Sequence, residues 1–297
     1  MISSIVNHTT IPDKDIQAVL RAINRQIAED FEPYWHMGAK LRLEGRVAAA
    51  PDPHGSNPAE LRGDAVIYIW DGHDIENALG YHDANFLGLP FGFVFTDISA
   101  AVGENWTVTL SHEALELIGD ANANAFAAGP HPADPNKLVF HWYEMCDAVQ
   151  AETYVVDGVE VSNFVLPLYF TIAAEAGSRN DFLGTRVNGS TLQSFGVNSG
   201  GYVGFFDPAT GKNDTYSHTH DGLAMRRRDV KAAIGIGRRA LRYGQLQPQG
   251  AWRKVASGPI RPNFKLPSKV LTSSPATLTD RSSVSGNGVK RRAKVRR

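Results

Sequence analysis

Residues 111–116 read Ser-His-Glu-Ala-Leu-Glu, and no other run constrains the chain as tightly. His112 and Glu116 stand four positions apart, so on a helix they lie one above the other on the same face. Glu113 follows His112 directly and is turned about 100° away from it around the helix axis. The spacing predicts a helix from Trp106 to about Ile118, with Val108, Leu115 and Ile118 on an apolar side and Gly119 as its stop. An imidazole and a carboxylate stacked in this way can grip one divalent ion together. A neighbouring carboxylate can then act on water held there.

The elements expected before this helix are simple. Residues 11–31 carry Ile16, Val19, Leu20, Ile23 and Ile27 at helical spacing, with Pro12 suited to a first turn. Three strands are expected next: Lys40–Glu44 by alternation, and Ala65–Trp70 and Phe91–Thr96 as short apolar runs. The second half reads differently. Residues 121–137, rich in Ala, Asn and Pro, are expected to form a loop, and Tyr143–Val149 a short helix or turn. Two hairpins are expected, one around Asp157-Gly158 and one joining 201–206 to 213–217 through Asp207-Pro208-Ala209-Thr210-Gly211. Arg226–Tyr243 reads as a basic helix weakened by Gly235 and Gly237. From Lys265 onward the composition is that of a disordered basic tail. The fold class is therefore α+β, with a first subdomain over 1–119, a loop- and hairpin-rich second subdomain over 120–264, and a tail over 265–297.

Charge is strongly polarised along the chain. Residues 226–297 hold 19 Lys+Arg and 2 Asp+Glu, whereas residues 1–225 hold 11 Lys+Arg and 29 Asp+Glu. A polyanion, such as nucleic acid, or an acidic partner could bind the basic segment, which could equally lie on the protein's own acidic body. The lone cysteine, Cys146, excludes an internal disulfide and reads as a small buried apolar residue. No long apolar run suggests a membrane span, and the first residues do not read as a secretory signal. The expectation is a cytoplasmic protein, with export by a route that needs no N-terminal signal left open.

The order of helix, three strands and a helix bearing His-Glu resembles the upper subdomain of the zincin metallopeptidases, over about residues 10–150. There a backing helix and a small twisted sheet support the active-site helix, and an edge strand lines the cleft. The pattern here is H-E-x-x-E where that family commonly has H-E-x-x-H. The resemblance implies a peptidase or amide hydrolase with one divalent metal ion, zinc above all, and a peptide or protein substrate. His112, Glu116 and Glu144 would be its ligands and Glu113 its general base. Asp147 would orient His112, and Asp120 is a rival ligand. Phe91–Thr96 would be the edge strand. An alternative alignment with the metzincin pattern, through Gly119 and Asn122, replaces two of three ligand histidines and is the poorer match. The chain also resembles a group of uncharacterised bacterial proteins pairing S-H-E-x-x-E-x-x-x-D with E-x-C-D, here Ser111–Asp120 and Glu144–Asp147.

A His-Glu-Glu set neutralises part of the ion's charge, so manganese or iron would compete with zinc. His82 and Tyr154 are further candidates, as donors to a developing oxyanion. For His82 the plainer reading is a loop histidine bonded to Asp83. His218 and His220 read as a surface pair. Nucleotide-binding glycine motifs and a G-x-S-x-G nucleophile elbow are absent from the sequence. A rival to the enzyme reading is a non-catalytic protein that binds polyanions or serves a structural role, with a degenerate zincin fold.

Overall fold

The structure, a computed structural model, describes residues 1–47, 51, 63–73, 78–85, 88–172, 179–186 and 189–218. The expected basic helix at 226–243, His220 and the tail at 265–297 lie outside the described residues, as does the segment expected to meet a polyanion. The chain is mixed α+β, with few helices and several sheets.

Strand β1 (Ile2–His8) opens the chain and is followed by α1 (Asp13–Arg25), a π-helical turn (Gln26–Phe31) and the short α2 (Glu32–Trp35). Pro12 stands as the N-cap of α1, at φ −60° and ψ 137°. The wider π-turn carries Phe31 between Trp35 and Phe164 and aims Gln26, whose amide donates to the Ser162 carbonyl at 2.9 Å. Strands β2 (Lys40–Arg46), β3 (Ala65–Trp70), β4 (Gly80–Ala84) and β5 (Pro90–Phe95) complete a five-stranded sheet of order β2-β1-β3-β5-β4. All its pairings are parallel except the last, in which β4 runs antiparallel to β5.

Two expectations are corrected here. Ile2–His8, which carried no strand expectation, pairs with both β2 and β3. Phe91–Thr96, expected at the edge, is an interior strand flanked by β3 and β4. Its nearly continuous apolar run is what burial on both faces requires. The edge strand on that side is Gly80-Tyr81-His82-Asp83-Ala84, which has no β-branched residue and only weak alternation.

The period-2 pleat then divides the sheet residues. Ile5, Ala65, Ile67, Ile69 and Val94 face the helices, whereas Val6, Val66, Tyr68, Phe91, Phe93 and Phe95 form a separate cluster on the opposite face. Helices α3 (Thr96–Val102) and α4 (Trp106–Gly119) follow β5. Every residue of α4 from Thr107 to Ile118 is buried. The apolar side expected at Val108, Leu115 and Ile118 is buried, and so are the polar residues of the helix. The second half of the chain encloses Thr107, Ser111 and Glu116, and the sheet encloses Glu113.

That second half supplies an unexpected hairpin, β6 (Phe126–His131) and β7 (Asp134–Trp142), where a loop was expected. A 3₁₀ turn (Asp147–Val149) follows, then the hairpin of β8 (Thr153–Val156) and β9 (Val159–Ser162), turning through Asp157 at φ 48° and Gly158 at φ 80° as the Asp-Gly pair requires. A second 3₁₀ turn (Pro167–Phe170) leads to β10 (Tyr202–Asp207) and β11 (Lys212–Ser217). The latter two join the β6–β7 hairpin in a four-stranded antiparallel sheet of order β11-β10-β7-β6. One hydrophobic core runs from Ile5 through Leu115 and Cys146 to Val203, so the two expected subdomains share an interior. Full burial of each Leu, Ile, Val or Phe in it contributes about 1.5–3 kcal/mol. Among the described residues, no helix is long and apolar enough to cross a membrane.

His141 on β7 gives this fold a pH dependence. Its Nε2 donates to the Pro130 carbonyl at 2.8 Å, and its ring lies against Phe195 and Phe205. Burial holds its pKa below the ordinary 6.5. Its buried Nδ1 has no acceptor among the described residues, so the fold holds the ring neutral. As pH falls below 6.5 the unfolded chain takes up the proton first, and stability declines until the folded-state value is passed. Urea unfolding at a series of pH values should show this decline, and His141→Gln should flatten it.

Candidate metal centre

Helix α4 is anchored at its N-terminus and along its side. Asn105 caps it, accepting from the Thr107 amide at 3.2 Å. The Thr107 hydroxyl donates to the Glu160 carbonyl at 2.7 Å, and the Ser111 hydroxyl accepts from the Ser162 amide at 2.7 Å, which fastens β9 to the helix. One turn on, His112 Nε2 lies 3.2 Å from Glu116 Oε1, as the i, i+4 spacing requires. The same Nε2 lies 3.1 Å from Asp147 Oδ1. Glu116 Oε1 also accepts from the Cys146 amide at 3.1 Å, so the 3₁₀ turn is tied to the helix through this carboxylate.

Glu113 faces the other way, toward the sheet. Register explains what it meets. His82 of β4 pairs with Gly92 of β5, and Gly80 pairs with Val94, so both lie on the helix-facing side of the sheet. His82 Nδ1 is 3.4 Å from Glu113 Oε2 and 3.8 Å from Glu116 Oε2, while its Nε2 is 3.9 Å from Glu144 Oε2. The side chains of His82, Glu113 and Glu116 are fully buried, and that of Glu144 is 17% exposed. The cluster therefore approaches solvent on the Glu144 side.

The donor atoms form two groups. His112, Glu116 and Cys146 each offer one atom within 4.8 Å of the others, and so do His82, Glu116 and Glu144. Ligands on a tetrahedral ion with bonds of roughly 2.0–2.1 Å stand about 3.3 Å apart, so these side chains would close by up to about 1.5 Å to enclose a cation. Imidazole, carboxylate and thiol are also the donor types that zinc, manganese and iron take. The residues fit a divalent metal ion.

The expected ligand set is thus divided. Glu116 belongs to both groups, but His112 and Glu144 fall in different ones. Asp147 reaches His112 as expected, yet it meets the nitrogen that faces Glu116. A carboxylate that orients a metal-bound histidine contacts the other nitrogen. Asp120 is in neither group: its carboxylate accepts from the Ala125 amide at 2.7 Å and turns the chain from α4 toward β6. Tyr154 is likewise directed elsewhere. Its hydroxyl donates to Asp30 on the π-turn at 2.8 Å, and burial with that carboxylate raises its pKa. His82, for which a loop position beside Asp83 was the plainer reading, instead stands on a strand at the centre of the cluster. Cys146 is buried as expected but belongs to a donor group. Its adjacency to Glu144 and Asp147 was the one signal of this in the sequence.

No family model matches the chain, and no curated protein or solved structure matches it either.

The close approach of β4 to α4 depends on a glycine. A Cβ at Gly80 would stand 2.5 Å from the Phe93 carbonyl oxygen, 2.8 Å from Thr109 Cγ2 and 3.1 Å from Glu113 Cγ. Gly80→Ala should force the edge strand off the helix and lower stability by about 1–3 kcal/mol in chemical denaturation. An unchanged midpoint would show that His82 and Glu113 are not held together by this contact.

Proposed function

We propose that this chain is a metal-dependent hydrolase acting on amide or peptide bonds. The observation that carries the reading is Glu113 beside His82 in a buried cluster completed by Glu116 and Glu144. The ligand set we assign is His82, Glu116 and Glu144, with His82 taking the place first expected for His112. A divalent cation held there, zinc in the first instance and manganese or iron(II) as alternatives, would acidify a water molecule and polarise a carbonyl oxygen.

The chain's own residues would do the rest. The Glu113 carboxylate takes the proton of the attacking water and later passes it to the leaving nitrogen. Its full burial between α4 and β4 keeps it close to the reacting centre and limits access of bulk water. Substrate would enter on the Glu144 side. The zincin resemblance supports a peptide as substrate: a backing helix, a sheet with an antiparallel edge strand and a central helix bearing His-Glu all occur here. β4 takes the edge role. An edge strand is also where an extended peptide can add as a further strand.

The test is metal content by elemental mass spectrometry on tag-free protein, combined with turnover against a peptide library. Glu113→Gln should keep the bound metal and lose turnover by about 10²–10⁴-fold. Full turnover in Glu113→Gln would overturn the mechanism, and absence of metal after reconstitution would overturn the reading as a whole.

A further inference from the structure

The two donor groups meet at one residue. Glu116 Oε1 lies on the His112 side, 3.2 Å from its Nε2, and Glu116 Oε2 lies on the His82 side, 3.8 Å from its Nδ1. Among the described residues, no donor group unites the two imidazoles. A single ion could therefore take one histidine or the other, but not both in the arrangement observed. Each imidazole has its own further donors, Cys146 with Asp147 alongside for His112, and Glu144 with Glu113 alongside for His82. Three separate parts of the chain supply these residues: α4, β4 and the turn at 144–147.

We propose that the chamber holds two divalent cations, with the Glu116 carboxylate bridging them. The first is the His82–Glu116–Glu144 ion of the hydrolase reading, on which this inference rests. The second is a new site made by His112, Glu116 and the Cys146 thiolate, with Asp147 close enough to complete it. Carboxylate bridges are the common device of two-metal hydrolytic sites, because each oxygen can serve a different ion. Four carboxyl groups packed around two imidazoles also match two dications better than one. The second ion lies deeper, since His112, Asp147 and Cys146 are all nearly or wholly buried. Its sulfur donor favours a softer ion there than at the outer position. On binding, Cys146 gives up its thiol proton to solvent and its sulfur lone pair to the ion.

The inference is tested by titrating the chelator-stripped full chain with cobalt(II). The expected result is two cobalt ions per chain, with a thiolate-to-cobalt charge-transfer band in the near ultraviolet. Cys146→Ser should remove the band, and His112→Gln should remove both the band and one equivalent. His82→Gln should remove one equivalent and keep the band. One cobalt per chain, lost in both histidine variants, would overturn the second site and leave the single-ion hydrolase reading in place. Two ions without the band would overturn the assignment of Cys146. No binding by the wild-type chain would overturn both readings together. Because the stoichiometry and the band are read first on the wild-type chain, the test does not depend on the variants folding.

Discussion

Everything around the site depends on the complete burial of α4. A helix enclosed on all sides is ordinarily apolar all round, because each buried polar group left without a partner costs on the order of 1–3 kcal/mol. This helix carries Thr107, Thr109, Ser111, His112, Glu113 and Glu116 into the interior. Three of those groups bind main-chain groups of the second half: Thr107 to Glu160, Ser111 to Ser162 and Glu116 to Cys146. The polar face is thus the docking surface that brings the β8–β9 hairpin and the 144–147 turn to the helix. The same face is the donor cluster. Fold and site cannot be separated at Glu116, whose one oxygen both ties down the Cys146 amide and faces His112.

The sheet makes the complementary contribution. Antiparallel pairing of β4 with β5 places His82 opposite Gly92, and the absence of a side chain at Gly80 lets the strand approach Glu113. A shift of one residue in that register would send His82 to the aromatic face, among Tyr68, Phe93 and Phe95. Gly119 plays a similar part at the far end of α4, where an added Cβ would collide with the Met145 thioether. The Met145 side chain of the turn bearing Glu144 and Cys146 lies over that bare position. Small residues at these points set the distances between the donor groups, and the donors themselves need no strained backbone.

How far this could be read in the sequence differed by element, for physical reasons. Periodicity revealed α1, α4, β3 and the two hairpins at 153–162 and 202–217, since each carries either a strong apolar repeat or a turn that demands particular residues. Local pattern could not reveal β4, whose five residues gain their strand conformation from pairing with β5. It also missed the β6–β7 hairpin, where the Ala, Asn and Pro content of residues 121–137 suggested a loop. For the site, the i, i+4 pair of His112 and Glu116 was legible because helical spacing alone places it. The partition of the remaining donors was not, because it depends on which oxygen of Glu116 each imidazole faces. That is a property of tertiary packing between β4, α4 and a turn some 30 residues further on.

The charge of the chamber bears on how the chain folds. Bringing Glu113, Glu116, Glu144 and Asp147 around His82 and His112 removes several ionisable groups from water at a cost of several kcal/mol per charge, unless protons or cations balance them. If protons do so, the cluster should be stable without metal. If cations do so, binding and closure of the second half over α4 are linked, and the free energy of binding contributes to folding. The proposed metal reading corresponds to the second case. The segment 144–147 is held to α4 through Glu116 and to the rest of the chain by the Val165–Met145 and Val149–Cys146 main-chain bonds. A cation shared between the helix and this turn would strengthen the contact by which the second half docks. Under the proposed reading, metal binding would stabilise the same junction that encloses the site.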